Sequence, residues 1–164
     1  MIDPQPMTVF VTGASAGFGE AIARRFVAEG HRVVASARRG DRVAALAEEL
    51  GDRLLPVALD VRDRTAIART LADLPGEFAA IDLLVNNAGL ALGLAPAQDA
   101  ELDHWEQMID TNATGLVACT RAVLPGMLER GRGHVINLGS IAGTIPTPAP
   151  TSTARRRRSC TSSA

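Results

Sequence analysis

Five short, almost wholly apolar runs recur along this chain: residues 8–12 (TVFVT), 32–37 (RVVASA), 54–59 (LLPVAL), 81–85 (IDLLV) and 134–138 (HVINL). Between them apolar residues return at helical spacing. Ala21, Ile22, Phe26 and Val27 mark a helix over 17–28 that stops at Gly30. Val43, Leu46 and Leu50 mark one over 41–50, and a third over 66–74 closes at Pro75-Gly76. A longer helical stretch runs over 99–110 and 112–130, with Pro125 placed to bend it and Gly131 and Gly133 to end it. Strands with no polar face must be covered on both sides, and strands alternating with helices pair in parallel. The fold class that follows is α/β, a Rossmann-type doubly wound parallel sheet. With 164 residues, 46% of them hydrophobic, one domain with a full core is expected.

Ligands of such sheets bind at the carboxyl ends of the strands. The stretch TGASAGFG, residues 12–19, follows the first strand and opens the first helix. Its glycines, Gly13, Gly17 and Gly19, allow a sharp turn and the close approach of a pyrophosphate to free amides at a helix N-terminus. The spacing is G-x-x-x-G-x-G, and a glycine-rich turn without a ligand is the plain alternative. Arg38 and Arg39 end the second strand, where a site for the unphosphorylated dinucleotide would carry an acid. Guanidinium groups suit a 2′-phosphate, so NADP is favoured over NAD, unless both are simply solvated surface arginines. Asp41, close by, is expected to cap the helix that follows.

The remaining composition excludes more than it assigns. A net charge of −1 gives no bulk attraction to nucleic acid or membrane. No apolar run approaches the ~20 residues of a membrane span. MIDPQPM is no signal peptide, so a cytoplasmic protein is expected. Cys119 and Cys160 have no metal-ligand spacing, and no metal is expected; Cys119 reads as a small core residue. His31 and His134 read as strand-entry residues, His104 as helix surface and Trp105 as a packing residue.

Together with NNAG at 86–89, NATG at 112–115 and a serine after the fifth strand, these stretches resemble the short-chain dehydrogenase/reductase family over roughly residues 7–146. Within it, GASAGFGEAIARRF, NNAGLALG and TRAVLPGMLERGRGHVINLGS are similar to NADP-dependent 3-hydroxy acid dehydrogenases. These act on serine, allo-threonine and related 3-hydroxy acids, and reduce malonic semialdehyde. The resemblance implies roles. Gly13, Ala14, Ser15, Ala16, Gly17, Phe18 and Gly19 would line the pyrophosphate. Arg38 and Arg39 would hold the 2′-phosphate, and Asp60 and Val61 would meet the adenine. Asn87, with Ala88 and Gly89, would border the ribose. Ser140 would bond the substrate oxygen, and Asn112 would anchor a water in a proton relay. Asp60 as a helix cap, Asn112 as the repair of a helix irregularity and Ser140 as a turn residue remain the simpler alternatives. The resemblance also implies a homotetramer, one this chain is not expected to form.

The family pattern places a tyrosine and a lysine, four residues apart, about a dozen positions beyond Ser140. This chain has no tyrosine, and all 17 of its basic residues are arginine. The segment reads instead PAPTSTARRRR, so the domain is expected to be truncated after the fifth strand. Residues 1–146 would be an incomplete NADP-binding domain, and 147–164 a disordered, aberrant tail. Read one nucleotide out of step, codons exist for residues 146–164 that spell Tyr-Gly-Ala-Thr-Lys-Ala, the family's catalytic stretch. A frame-shifted tail and an inactive chain are expected on this basis. The competing reading is a basic tail, Arg155–Arg158, for nucleic acid or anionic lipid.

Overall fold

A computed structural model describes residues 6–93 and 95–140. The expected tail over 147–164, with its arginine cluster and Cys160, lies outside the described residues.

Among the described residues five strands form one sheet: β1 (Thr8–Thr12), β2 (Arg32–Ala37), β3 (Leu54–Ala58), β4 (Ile81–Asn86) and β5 (His134–Asn137). All pairings are parallel, in the order β3-β2-β1-β4-β5. The register is regular from β1 to β2, where Val9 faces Val33 and Val11 faces Ala35. Pro56 sits in β3, an edge strand, where a missing amide hydrogen is tolerated.

Side chains alternate across a strand, and here each alternation feeds a different core. Val9, Val11, Val33, Ala35, Leu83 and Val85 pack on one face against Ala23, Val43 and Leu46. Those three belong to helices α1 (Gly17–Ala28) and α2 (Gly40–Leu50). Phe10, Val34 and Leu84 point the other way, onto Ile67, Phe78, Cys119, Val123 and Met127. These come from α3 (Arg64–Ala72), α4 (Gly76–Ala79) and α6 (Leu116–Glu129). Both sheet faces are therefore covered, as near-continuous apolar strands require. Cys119 is a core residue, and burial pushes its thiol up to about 11.

Several local expectations are corrected. Helix α3 starts earlier than residue 66, because Asp63 caps it by accepting from the Ala66 amide. Asp41 is not a cap: it lies in the first turn of α2, after Arg39, and makes no capping hydrogen bond. The long helical stretch is divided. A 3-10 turn (Ala97–Asp99) precedes α5 (Leu102–Ile109), and a π turn (Asp110–Gly115) joins α5 to α6. Pro125 lies inside α6, which continues through it. Trp105 is 43% exposed and stands outside both buried clusters. None of the described helices is long and apolar enough to cross a membrane.

Candidate functional site

The strand order reverses at β1, which has β2 on one side and β4 on the other. A crevice opens at the carboxyl ends beside such a reversal. A cleft of about 670 Å³ lies there, lined by Gly13, Ser15, Ala16 and Phe18 after β1 and by Ala37, Arg38 and Arg39 around the end of β2. Leu59, Asp60 and Val61 line it after β3, Asn87, Ala88 and Gly89 after β4, and Thr111 from the π turn.

The first wall is the β1–α1 turn. Thr12 ends β1 with a buried side chain whose Oγ1 accepts from the amides of Asn87 and Ala88, both at 3.0 Å, and donates to Val85 O at 3.3 Å. Asn87 answers through Nδ2, which donates to Thr12 O at 2.8 Å and Gly13 O at 3.2 Å. Both hydrogens of that amide group are thus spent on tying the two loops together. Gly13 has φ +70°, and a Cβ there would lie 2.8 Å from Ala88 Cα. At Gly19 a Cβ would collide with Asn87 Nδ2 and Gly13 O. Glycine at both positions lets the loops close to this distance.

Helix α1 begins after Ala16, and no side chain among the described residues caps its first amides. An uncapped helix N-terminus offers N–H groups and a partial positive charge to an anion. Ala14 contributes differently: it is fully buried, and its amide donates to Ser36 O at 2.9 Å. Neither it nor Gly17 or Gly19 lines the cleft. Phe18 stands 79% exposed at the rim.

The opposite wall carries charge. Arg39 Nη2 donates to Ser15 Oγ at 3.0 Å, bridging the ends of β1 and β2. Asp60 is held by Arg62, whose Nη2 donates to Oδ2 at 2.6 Å and whose main-chain N donates to Oδ1 at 3.0 Å. The Arg62 guanidinium keeps the Asp60 carboxyl below the usual carboxylate range, against the opposing effect of partial burial; the field of Arg38 adds to the lowering. Because Arg62 neutralises Asp60, Arg38 and Arg39 set the sign of this end of the cleft.

The two remaining candidates do not line it. Asn112 sits in the π turn with both ends of its amide on Leu90: Oδ1 accepts from Leu90 N at 2.9 Å and Nδ2 donates to Leu90 O at 2.8 Å. Ser140 follows β5 and is exposed. Ala37, Leu59, Thr111 and the organising hydroxyl of Thr12 join the site without having been expected from the sequence. Ala37 and Leu59 lie where strands meet the crevice, which was a usable signal. Thr111 becomes part of the cleft only because a π turn brings it there.

The residues fit a dinucleotide on three counts: glycine-only loop closure, an uncapped helix start, and a pair of cations across the cleft. A family model, short chain dehydrogenase, matches residues 7–152. The NADP-dependent 3-hydroxy acid dehydrogenase YdfG of Salmonella typhi is 61% identical over 140 residues, covering 85% of this chain and 56% of that protein. The crystal structure of serine dehydrogenase from Escherichia coli superposes with a TM-score of 0.85 at 59% identity, over 87% of this chain and 66% of that one. The closed form of serine dehydrogenase complexed with NADP+ superposes with a TM-score of 0.86 at 55% identity, over 94% and 62%. The chain thus spans little more than half the length of the curated relative it matches. Sequence, sheet order and cleft agree, and the chain belongs to the short-chain dehydrogenase family.

Proposed function

We propose that this chain is the nucleotide-binding part of an NADP-dependent oxidoreductase acting on small 3-hydroxy acids such as serine or allo-threonine, or on the carbonyl form, such as malonic semialdehyde. The observation that carries the reading is the Arg38–Arg39 pair across a single cleft from the uncapped start of α1, with Arg39 bonded to Ser15. The N-terminus of α1 would hold the pyrophosphate and the two guanidiniums the 2′-phosphate. Val61, Asp60 and the loop from Asn87 to Gly89 would border the adenosine. When bound, NADP supplies hydride acceptance and NADPH hydride donation.

This chain's own residues bind and position. Thr12 and Asn87 lock the β1 and β4 loops against each other, so the cleft floor is built before ligand arrives. Asn112 holds the Leu90 segment at the far end of the NNAG loop. Ser140 would bond the substrate oxygen. Moving the hydroxyl proton requires a base, and the sequence contains neither the tyrosine nor the lysine of the family pattern. This chain therefore binds the nucleotide without turning substrate over. Its residues over 147–164 are proposed to be a frame-shifted reading of the catalytic helix. Codons in the gene that cannot yield Tyr and Lys in the shifted frame would reject that part. A cytoplasmic setting belongs to the same proposal.

The test is a titration of the 164-residue chain with NADPH and NADH, followed by nicotinamide fluorescence. NADPH is expected to bind at least roughly tenfold tighter, since a charge-assisted hydrogen bond to a phosphate contributes about 1.5 kcal/mol or more. R39E is expected to abolish that preference while leaving NADH affinity within about twofold. Equal affinities for the two nucleotides in the unaltered chain would reject the assignment.

A further inference from the structure

Of the described side chains lining the cleft, Thr111 alone combines a buried hydroxyl with no hydrogen-bond partner among the described residues. The residue is 7% exposed. A helical threonine usually returns its hydroxyl to the carbonyl four residues back, as Thr120 does with Leu116 O at 2.8 Å. Thr111 does not. A buried unpaired hydroxyl costs free energy, and such groups concentrate where a ligand completes them.

Its position narrows what that ligand is. Thr111 and Gly115 are the two buried residues of the π turn. A Cβ on Gly115 would lie 2.7 Å from Val61 Cγ2, so this face of the turn is pressed onto the end of β3. Thr111 therefore stands on the β3 side of the cleft, beside Leu59, Asp60 and Val61, and away from the Ser140 end of the sheet. The side chains beside it there leave it unbonded: Leu59 and Val61 are apolar, and the Asp60 carboxylate turns to Arg62.

We infer that the Thr111 hydroxyl is a binding and specificity group for the adenosine half of the dinucleotide. This rests on the cofactor reading above. The hydroxyl both donates and accepts, so it matches a base or ribose edge of either polarity. The π turn is the device that delivers it.

The experiment compares the unaltered 164-residue chain with T111V, T111A and T111S, titrated with NADPH and separately with adenosine 2′,5′-bisphosphate. T111V and T111A are expected to bind both ligands roughly three- to tenfold more weakly, and T111S within about twofold of the unaltered chain. Thermal melting without ligand should show T111V at or above the unaltered chain, because the orphaned hydroxyl is gone. If T111V is poorly folded, the contrast between T111A and T111S carries the test. Unchanged affinity in the hydroxyl-free variants overturns the inference and leaves the cofactor reading standing. A loss confined to NADPH overturns the placement on the adenosine half. An unaltered, folded chain that binds neither ligand overturns the cofactor reading and this inference with it.

Discussion

Gly19 and Asp60 show how single residues tune the cleft in opposite ways, one by having no side chain and one by having a partnered one. The Cβ of G19A would run into Asn87 Nδ2 and the Gly13 carbonyl, both fixed by the Thr12–Asn87 network. Since main-chain atoms cannot rotate aside, G19A is expected to lower stability by about 1–3 kcal/mol, measured by urea unfolding. Nucleotide binding should weaken with it, because the same bonds set the cleft floor. For Asp60 the prediction is a pH dependence. Its folded-state pKa lies below the ordinary value, chiefly through Arg62. Its contribution to stability is therefore fully present above the unfolded-state value of about 4 and is lost as pH falls through the depressed folded value. D60N should be less stable than the unaltered chain near pH 7, with the gap closing as pH drops from about 5 towards 2. A gap that stays constant over that range would remove the carboxylate from the account. The sequence singled out both residues, Gly19 in the glycine-rich turn and Asp60 after the third apolar run. Their partners were not legible there, because the spacing of letters does not say that Asn87 turns inward or that Arg62 folds back on Asp60.

At the scale of elements, the apolar runs located all five strands to within a residue, since a strand buried on both faces leaves no polar position to confuse its ends. Helix α1 was equally plain, bounded by Gly17 and Gly30. The misread elements are those whose start depends on one side-chain hydrogen bond or on a backbone irregularity. Asp63 moved the start of α3, and the short α4 hides behind Pro75-Gly76, which read as a stop. The π turn left no periodic trace because one inserted residue shifts the phase of a helix without changing its composition. Yet that turn places Asn112 against Leu90 and Thr111 in the cleft. We expect N112A to cost about 1 kcal/mol, as the bonds are solvent-accessible, and to raise hydrogen exchange at the Leu90 amide well above the change at β4 amides. N112D keeps the acceptor for Leu90 N but sets a carboxylate against Leu90 O, so it should be no better than N112A. Unaltered exchange at Leu90 in N112A would mean that the loop is held by its own backbone.

For the molecule as a whole, the question is what the apolar surface exposed among the described residues does. Leu102, Trp105 and Ile109 recur at helical spacing on α5, and Val117, Leu124 and Leu128 do so on α6. All are exposed among the described residues, with Leu128 at 71% and Leu102 at 66%. The sheet edges differ as well. The β3 edge carries Pro56, which weakens it as a template for another strand, whereas β5, the other edge among the described residues, has Ile136 40% exposed and no proline. Apolar helix stripes next to an edge that no described strand pairs with favour association over a dispersed monomer. The 164-residue chain is therefore expected to self-associate at micromolar concentrations and to enhance the fluorescence of an apolar dye. The stripes and the edge make separable contributions. Ile109→Glu with Leu128→Glu should shift the light-scattering mass towards the monomer if the helices drive association, and Ile136→Lys should do so if the edge does. Neither change touches a cleft residue, so NADPH affinity per chain should hold within about twofold as the mass falls. A monodisperse monomer of the unaltered chain, indifferent to the dye, would show that these stripes are covered within the chain itself.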